Sequence, residues 1–100
     1  MHPSKVDRNL LTQLTDLPNI GKACAADLQL LGISKPQQLV GVDPYALYEL
    51  LCLKTGVRHD PCMIDTFISI TRFMNGEEAK PWWTYTAERK QSVSSSTKIK

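Results

Sequence analysis

One hundred residues, 42% hydrophobic and 22% charged, make a single globular domain with room for one modest core and none for a separate catalytic lobe. Twelve Lys and Arg barely exceed ten Asp and Glu, so a net charge of +2 excludes a global field drawing the chain onto nucleic acid or anionic membrane, and any such attraction is local. No apolar run is long enough to span a membrane and "MHPSKVDRNL" lacks a signal-peptide core, which leads to the expectation of a cytoplasmic protein without a membrane partner.

In chain order, Ser4 and Asp7 form an S-x-x-D box that predicts a helix through about Asp16. Leu10, Leu11, Leu14 and Leu17 are its expected buried stripe, and Pro18 stops it. A second helix is predicted over about Lys22–Leu31, with Ala23, Ala26, Leu30 and Leu31 inward and Gly32 closing it. Ser34 is the expected cap of a short helix that contributes Leu39 and Val40 and ends at Gly41. "DPYALYELLCLKTG" is the clearest local signal: Asp43 as N-cap, Pro44 at the first helical position and Gly56 past the end. "DPCMIDTFISITRFMNG" repeats the device with Asp60, Pro61 and Gly76, and places Met63, Phe67, Ile70 and Met74 on one stripe.

No segment alternates with period two long enough to form a strand, so the expected fold class is all-α, a compact bundle of about five short helices. Beyond Gly76 the character changes. "EEAKPWWTYTAERK" carries paired aromatics without a helical period, and "QSVSSSTKIK" is low-complexity, polar and basic. The expected organisation is a domain over residues 1–80, an aromatic extension packing on it over 81–90, and a disordered tail over 91–100.

"LPNIGKACAADLQLLGI" bears on function. A turn built from Asn19, Ile20 and Gly21 joins two helical patterns, and Gly21 is expected to supply a positive φ there, which Asn19 also tolerates. Where the second helix starts, backbone N–H groups lack intrahelical partners and sit at the positive end of the helix dipole. That is an anion site suited to phosphate, and Lys22 adds a mobile charge beside it. The candidate phosphate-binding residues are Asn19, Ile20, Gly21, Lys22 and Ala23.

The same residues resemble the helix-hairpin-helix motif, whose usual form is L-P-G-h-G followed by a basic residue, a small residue, a spaced Leu and Gly-Ile; Asn19 stands in for the first hairpin Gly. From about residue 10 to 90 the chain is similar to the small bacterial family of pathogenicity-locus or mitomycin-resistance-like helix-hairpin-helix proteins. It is also similar to the C-terminal domain of TfoX-type competence regulators. The resemblance implies a helix-hairpin-helix fold and a DNA-related role. Sequence-independent binding to the phosphate backbone, accessory to repair or recombination, is the function expected. A protein-interaction module with a structural hairpin is the competing reading, and a protein partner is compatible with either.

An enzymatic reading compares "GVDPY" with the Val-Asp that follows the hairpin in glycosylases of this motif type, which would make Asp43 the catalytic carboxylate. Asp-Pro opening an apolar run is better read as a helix cap, so no catalytic residue and no cofactor are expected. Cys24, Cys52 and Cys62 form no CxxC pair and are read as reduced thiols. Cys52, His59 and Cys62 leave a zinc site one ligand short, so no metal is expected. Cys62, in a first helical turn near Arg58 and His59, is the candidate redox-sensitive thiol, its acidity raised by the dipole. Trp82 and Trp83 are expected to fold back over the bundle, with stacking on exposed bases as the alternative.

Overall fold

The computed structural model describes the backbone of residues 1–99 and the side chains of residues 1–92. Among the described residues it holds four α-helices and no strand: α1 (Lys22–Leu30), α2 (Pro44–Thr55), α3 (Cys62–Met74) and α4 (Thr86–Ile99). Short 3-10 turns link them. None of these helices is long and apolar enough to cross a membrane.

α3 is the axis of the fold. Its residues from Ile64 to Thr71 are all buried, so it is enclosed on every side rather than along one stripe. Ser69 and Thr71 are accommodated because their hydroxyls donate back to the carbonyls of Thr66 and Phe67, at 2.6 and 2.9 Å. α2 packs along one side of α3 with Leu47, Tyr48, Leu51 and Cys52, and the 3-10 turn Trp82–Tyr85 packs on another, burying Tyr85. α1 reaches the core through Ala25 and Leu28 and lies against α2 and the turn Leu14–Asp16.

Local signals placed the two central helices. The Asp43 carboxylate accepts from the Tyr45 N–H at 2.9 Å, Pro44 opens α2, and Gly56 ends it at φ 73°. Asp60 accepts from the Cys62 N–H at 2.9 Å at the start of α3. Phe67 and Ile70 are fully buried as expected, while Met63 and Met74 are only partly so.

Elsewhere the structure differs. The expected helix from Ser4 to Asp16 is instead three 3-10 turns, Pro3–Lys5, Arg8–Leu10 and Leu14–Asp16. Side chains competing for backbone N–H groups break it up: Asp7 accepts from Asn9, and Asp16 accepts from the N–H groups of Thr12 and Gln13. Leu14 and Leu17 stay buried, but Leu10 is turned out to solvent. On α1 the expected inward set is out of phase, since Ala23, Ala26 and Leu30 are exposed and Leu31 is half-buried. Ser34 does not cap an α-helix; Gln38 Oε1 accepts from the Ser34 and Lys35 N–H groups around the 3-10 turn Pro36–Leu39, and Val40 is exposed.

α4 begins at Thr86, where no helical period is visible. Tertiary bonds hold its start: Arg89 Nε donates to Asp65 Oδ1 at 2.9 Å, Thr86 Oγ1 donates to Asp65 Oδ2 at 2.7 Å, and Arg72 pairs with Glu88. The expectation for residues 91–100 falls mostly on side chains outside those described.

Candidate functional site

The hairpin runs from Leu17 to Gly21, between the turn Leu14–Asp16 and α1. Leu17, Pro18 and Ile20 are buried and hold it to the core. The left-handed residue is Asn19, at φ 66°. Gly21 was expected to take that role but lies at φ −98° and ψ −171°, an extended N-cap that any residue adopts. Asn19 is one of the few non-glycine residues for which such a φ is tolerable, and it uses its side chain as well. Its Nδ2 donates to Ser69 Oγ at 3.0 Å and to the Lys80 carbonyl at 2.9 Å, while its backbone N–H donates to the Met1 carbonyl at 2.7 Å. The hairpin is thereby fastened both to α3 and to the segment leading into the tryptophans.

Asp16 braces the entry to the turn. Its Oδ2 accepts from the N–H groups of Thr12 and Gln13 and from the Thr12 hydroxyl, all at 3.0 Å. Those two backbone bonds, Gln13 first, hold its carboxyl below the ordinary range.

At the exit, Gly21, Lys22 and Ala23 are exposed. Gly21 offers no side-chain cap, and the first α1 amide taken up by the chain is that of Ala25, donating to the Gly21 carbonyl at 3.0 Å. Among the described residues nothing caps the N–H groups of Lys22, Ala23 and Cys24. At the starts of α2 and α3 a carboxylate takes up such an amide, from Asp43 at the N-cap and from Asp60 one residue before it. Of the five candidate residues, then, three form an open surface, while the side chains of Asn19 and Ile20 turn inward.

Beside this surface lies a groove of about 410 Å³. Asn19, Ile20 and Gly21 line it together with Trp82 and Trp83, and the N-terminal Met1, His2 and Pro3 complete the lining. Trp82 is half-buried, but Trp83 is 62% exposed, so the expected folding-back of the pair onto the bundle fails for Trp83. Pairing of hairpin with tryptophans was not legible in the sequence, because more than sixty positions separate them; the paired aromatics were the only signal.

The family model described as "Pathogenicity locus" (Cdd1) matches residues 7–91. The chain belongs to this family. It is also 41% identical over 80 residues, 80% of this chain and 76% of the relative, to "Mitomycin resistance protein McrB" of Streptomyces lavendulae. No solved structure matches it significantly.

Within the span the family covers, the other chemically suggestive residues have local partners. Asp43 is engaged as the cap of α2. Cys52 Sγ accepts from the His59 N–H at 3.5 Å, but the His59 ring turns to Thr55 Oγ1 at 2.8 Å and the His59 carbonyl accepts from the Tyr48 hydroxyl. Cys62 does not have the lowered pKa expected of a helix-terminal thiol. A hydrogen bond to the Asp60 carboxylate pushes it above the usual thiol range, with burial and the charges of Asp60 and Asp65 adding to the effect. Arg8 is a contact the sequence did not announce: its guanidinium stacks 4.0 Å from the Phe73 ring centroid and donates to the carbonyls of Phe73 and Glu77, tying the N-terminal segment to the end of α3.

Proposed function

We propose that the chain is a sequence-independent DNA-binding module in which the hairpin acts as a helix-hairpin-helix phosphate clamp. The observation that carries this reading is the uncapped start of α1, where among the described residues the amides of Lys22, Ala23 and Cys24 are left unbonded beside an exposed Lys22. Three donors at the positive end of a helix dipole bind an anion, and a phosphate oxygen supplies several acceptors at once. Gly21 keeps the approach open, since a Cβ built there meets nothing within 4 Å. No side chain on this surface reads a base edge, so contacts of this type position the backbone without selecting sequence. The mitomycin-resistance name of the relative is compatible with service in DNA repair or recombination.

A second reading has its own support. Leu53 and Val57 are 79% and 59% exposed at the end of α2 and just beyond it, and Leu50 is 38% exposed, an apolar surface suited to another protein. Salt separates the two. Fluorescence anisotropy with a labelled duplex, repeated from low to moderate salt, should show affinity falling steeply, and Lys22→Ala should lower the slope of log affinity against log salt by about one. Lys54→Ala, at the C-terminal end of α2, should leave binding much less affected. Salt-insensitive binding, or a Lys22→Ala variant that binds as the wild type does, would transfer the function to the apolar surface.

A further inference from the structure

The Trp83 side chain lies outside the core, and it lines an open groove together with the hairpin and the N-terminal Met1, His2 and Pro3. We propose that this groove takes one unpaired nucleobase, stacked on Trp83, from a strand whose phosphate sits at the start of α1; the proposal rests on the phosphate-clamp reading. Trp83 is 62% exposed, a large apolar face left in water. Trp82 and Trp83 form a T-shaped pair, with ring centroids 5.6 Å apart and planes at 82°, an arrangement in which Trp82 covers at most one face of Trp83. Base–aromatic stacking needs just such a held ring, and it tolerates any sequence because every base has a π-face.

The hairpin residues that line the groove suit a base as well. Gly21 contributes no side chain and has open space where a Cβ would project. Asn19 presents no free amide to read a base edge, since Nδ2 is engaged by Ser69 and Lys80. The bond to the Lys80 carbonyl, two residues before Trp82, ties the hairpin to the segment that carries the tryptophans. Among the described residues no acidic side chain lines the groove, and its 410 Å³ is within the range of small-ligand sites. Gly21 both lines the groove and directly precedes the Lys22 amide, so a base in the groove and its phosphate at α1 belong to one nucleotide or to adjacent ones.

The test uses the full chain, a blunt duplex, and the same duplex carrying a three-nucleotide gap with 2-aminopurine in the continuous strand. Gapped DNA should bind about fivefold more tightly or better, the lower end of what stacking one base contributes, and 2-aminopurine fluorescence should be quenched on binding. Trp83→Ala, whose fold is checked by circular dichroism, should erase the preference and the quenching while leaving duplex affinity in place; Trp83→Phe should keep part of both. Equal binding of the two probes by the wild type, a preference that survives Trp83→Ala, or an equal loss on both probes would each overturn the stacked base while leaving the phosphate clamp standing. Failure of both probes to bind in a salt-dependent manner would overturn the clamp itself and the stacked base with it.

Discussion

Asn19 Nδ2 donates to Ser69 Oγ at 3.0 Å, joining the tip of the hairpin to the middle of the buried helix α3 across 50 positions of sequence. Ser69 passes the bond on, its hydroxyl donating to the Thr66 carbonyl at 2.6 Å. Chained donors polarise one another in a low-dielectric interior, which makes the pair a stiff anchor for a turn whose amides the proposed clamp needs to point outward.

Two properties of Asn19 can be separated by substitution. Asn19→Gly keeps the positive φ and loses the bonds to Ser69 and Lys80, so it should destabilise the fold by about 1–2 kcal/mol. Asn19→Ala loses the same bonds and adds left-handed strain, for about 1 kcal/mol more. Asn19→Asp tolerates the φ but sets a carboxylate oxygen against the Lys80 carbonyl, and it should be less stable than the Gly variant. Urea unfolding gives the order; an Ala variant as stable as the Gly variant would remove strain from the account.

The anchor of α4 offers a larger effect. Asp65 is fully buried and its ion pair with Arg89 leaves the guanidinium side chain only 12% exposed. Arg89→Ala strands the carboxylate with the Thr86 hydroxyl alone and should cost roughly 3 kcal/mol, the lower part of the range for breaking a buried pair. Adding Asp65→Asn to that variant should recover part of the loss, because the uncompensated charge goes. Thermal unfolding of the two variants measures the recovery, and a double variant less stable than Arg89→Ala would contradict it.

Legibility in the sequence followed the range of the interaction. Asp43, Pro44 and Gly56 act within their own helix, and so they delimited α2 correctly. The start of α4 depends on Asp65, more than twenty positions away, and no pattern within 77–90 reveals it. In α1 the closely spaced Leu28, Leu30 and Leu31 fit two helical phases, and packing selected Leu28. At the site, the exposed Lys22 at a helix start was legible from the hairpin pattern, whereas Ala23 was expected inward and is exposed. The assignment of the positive φ to Gly21 was not, because Asn19 is favoured there by partners on α3 and at Lys80.

Acid should loosen the hairpin before it unfolds the core. The Gln13 and Thr12 amides hold the Asp16 carboxyl below its ordinary value, and the Cys62 amide does the same for Asp60. A carboxylate depressed in the folded state contributes stability that is complete above its unfolded pKa and is lost as pH falls through the folded one. The loss should therefore start near about pH 4 and deepen below it. Asp16→Asn should be less stable than the wild type at pH 7 and converge on it in strong acid. Thermal unfolding across that interval measures the convergence, and parallel curves for the two proteins would remove Asp16 from the acid response.

The Cys62 thiol gives a test with the opposite sign. Asp60 pushes its pKa up through a hydrogen bond and through charge, so the thiolate is scarce at neutral pH and alkylation there should be slow. Asp60→Asn leaves a competent cap for the start of α3 and removes the carboxylate, and the pKa of Cys62 should then move down. Iodoacetamide labelling read by peptide mass spectrometry should show Cys62 modified several-fold faster in the variant at pH 7, with the two proteins approaching one rate above the thiol pKa. The buried Cys52 serves as the internal control, since a fold opened by the substitution would expose it too. Faster labelling of Cys62 alone would place the control of this thiol in Asp60, whereas an unchanged rate in a folded variant would mean that burial rather than the carboxylate restrains it.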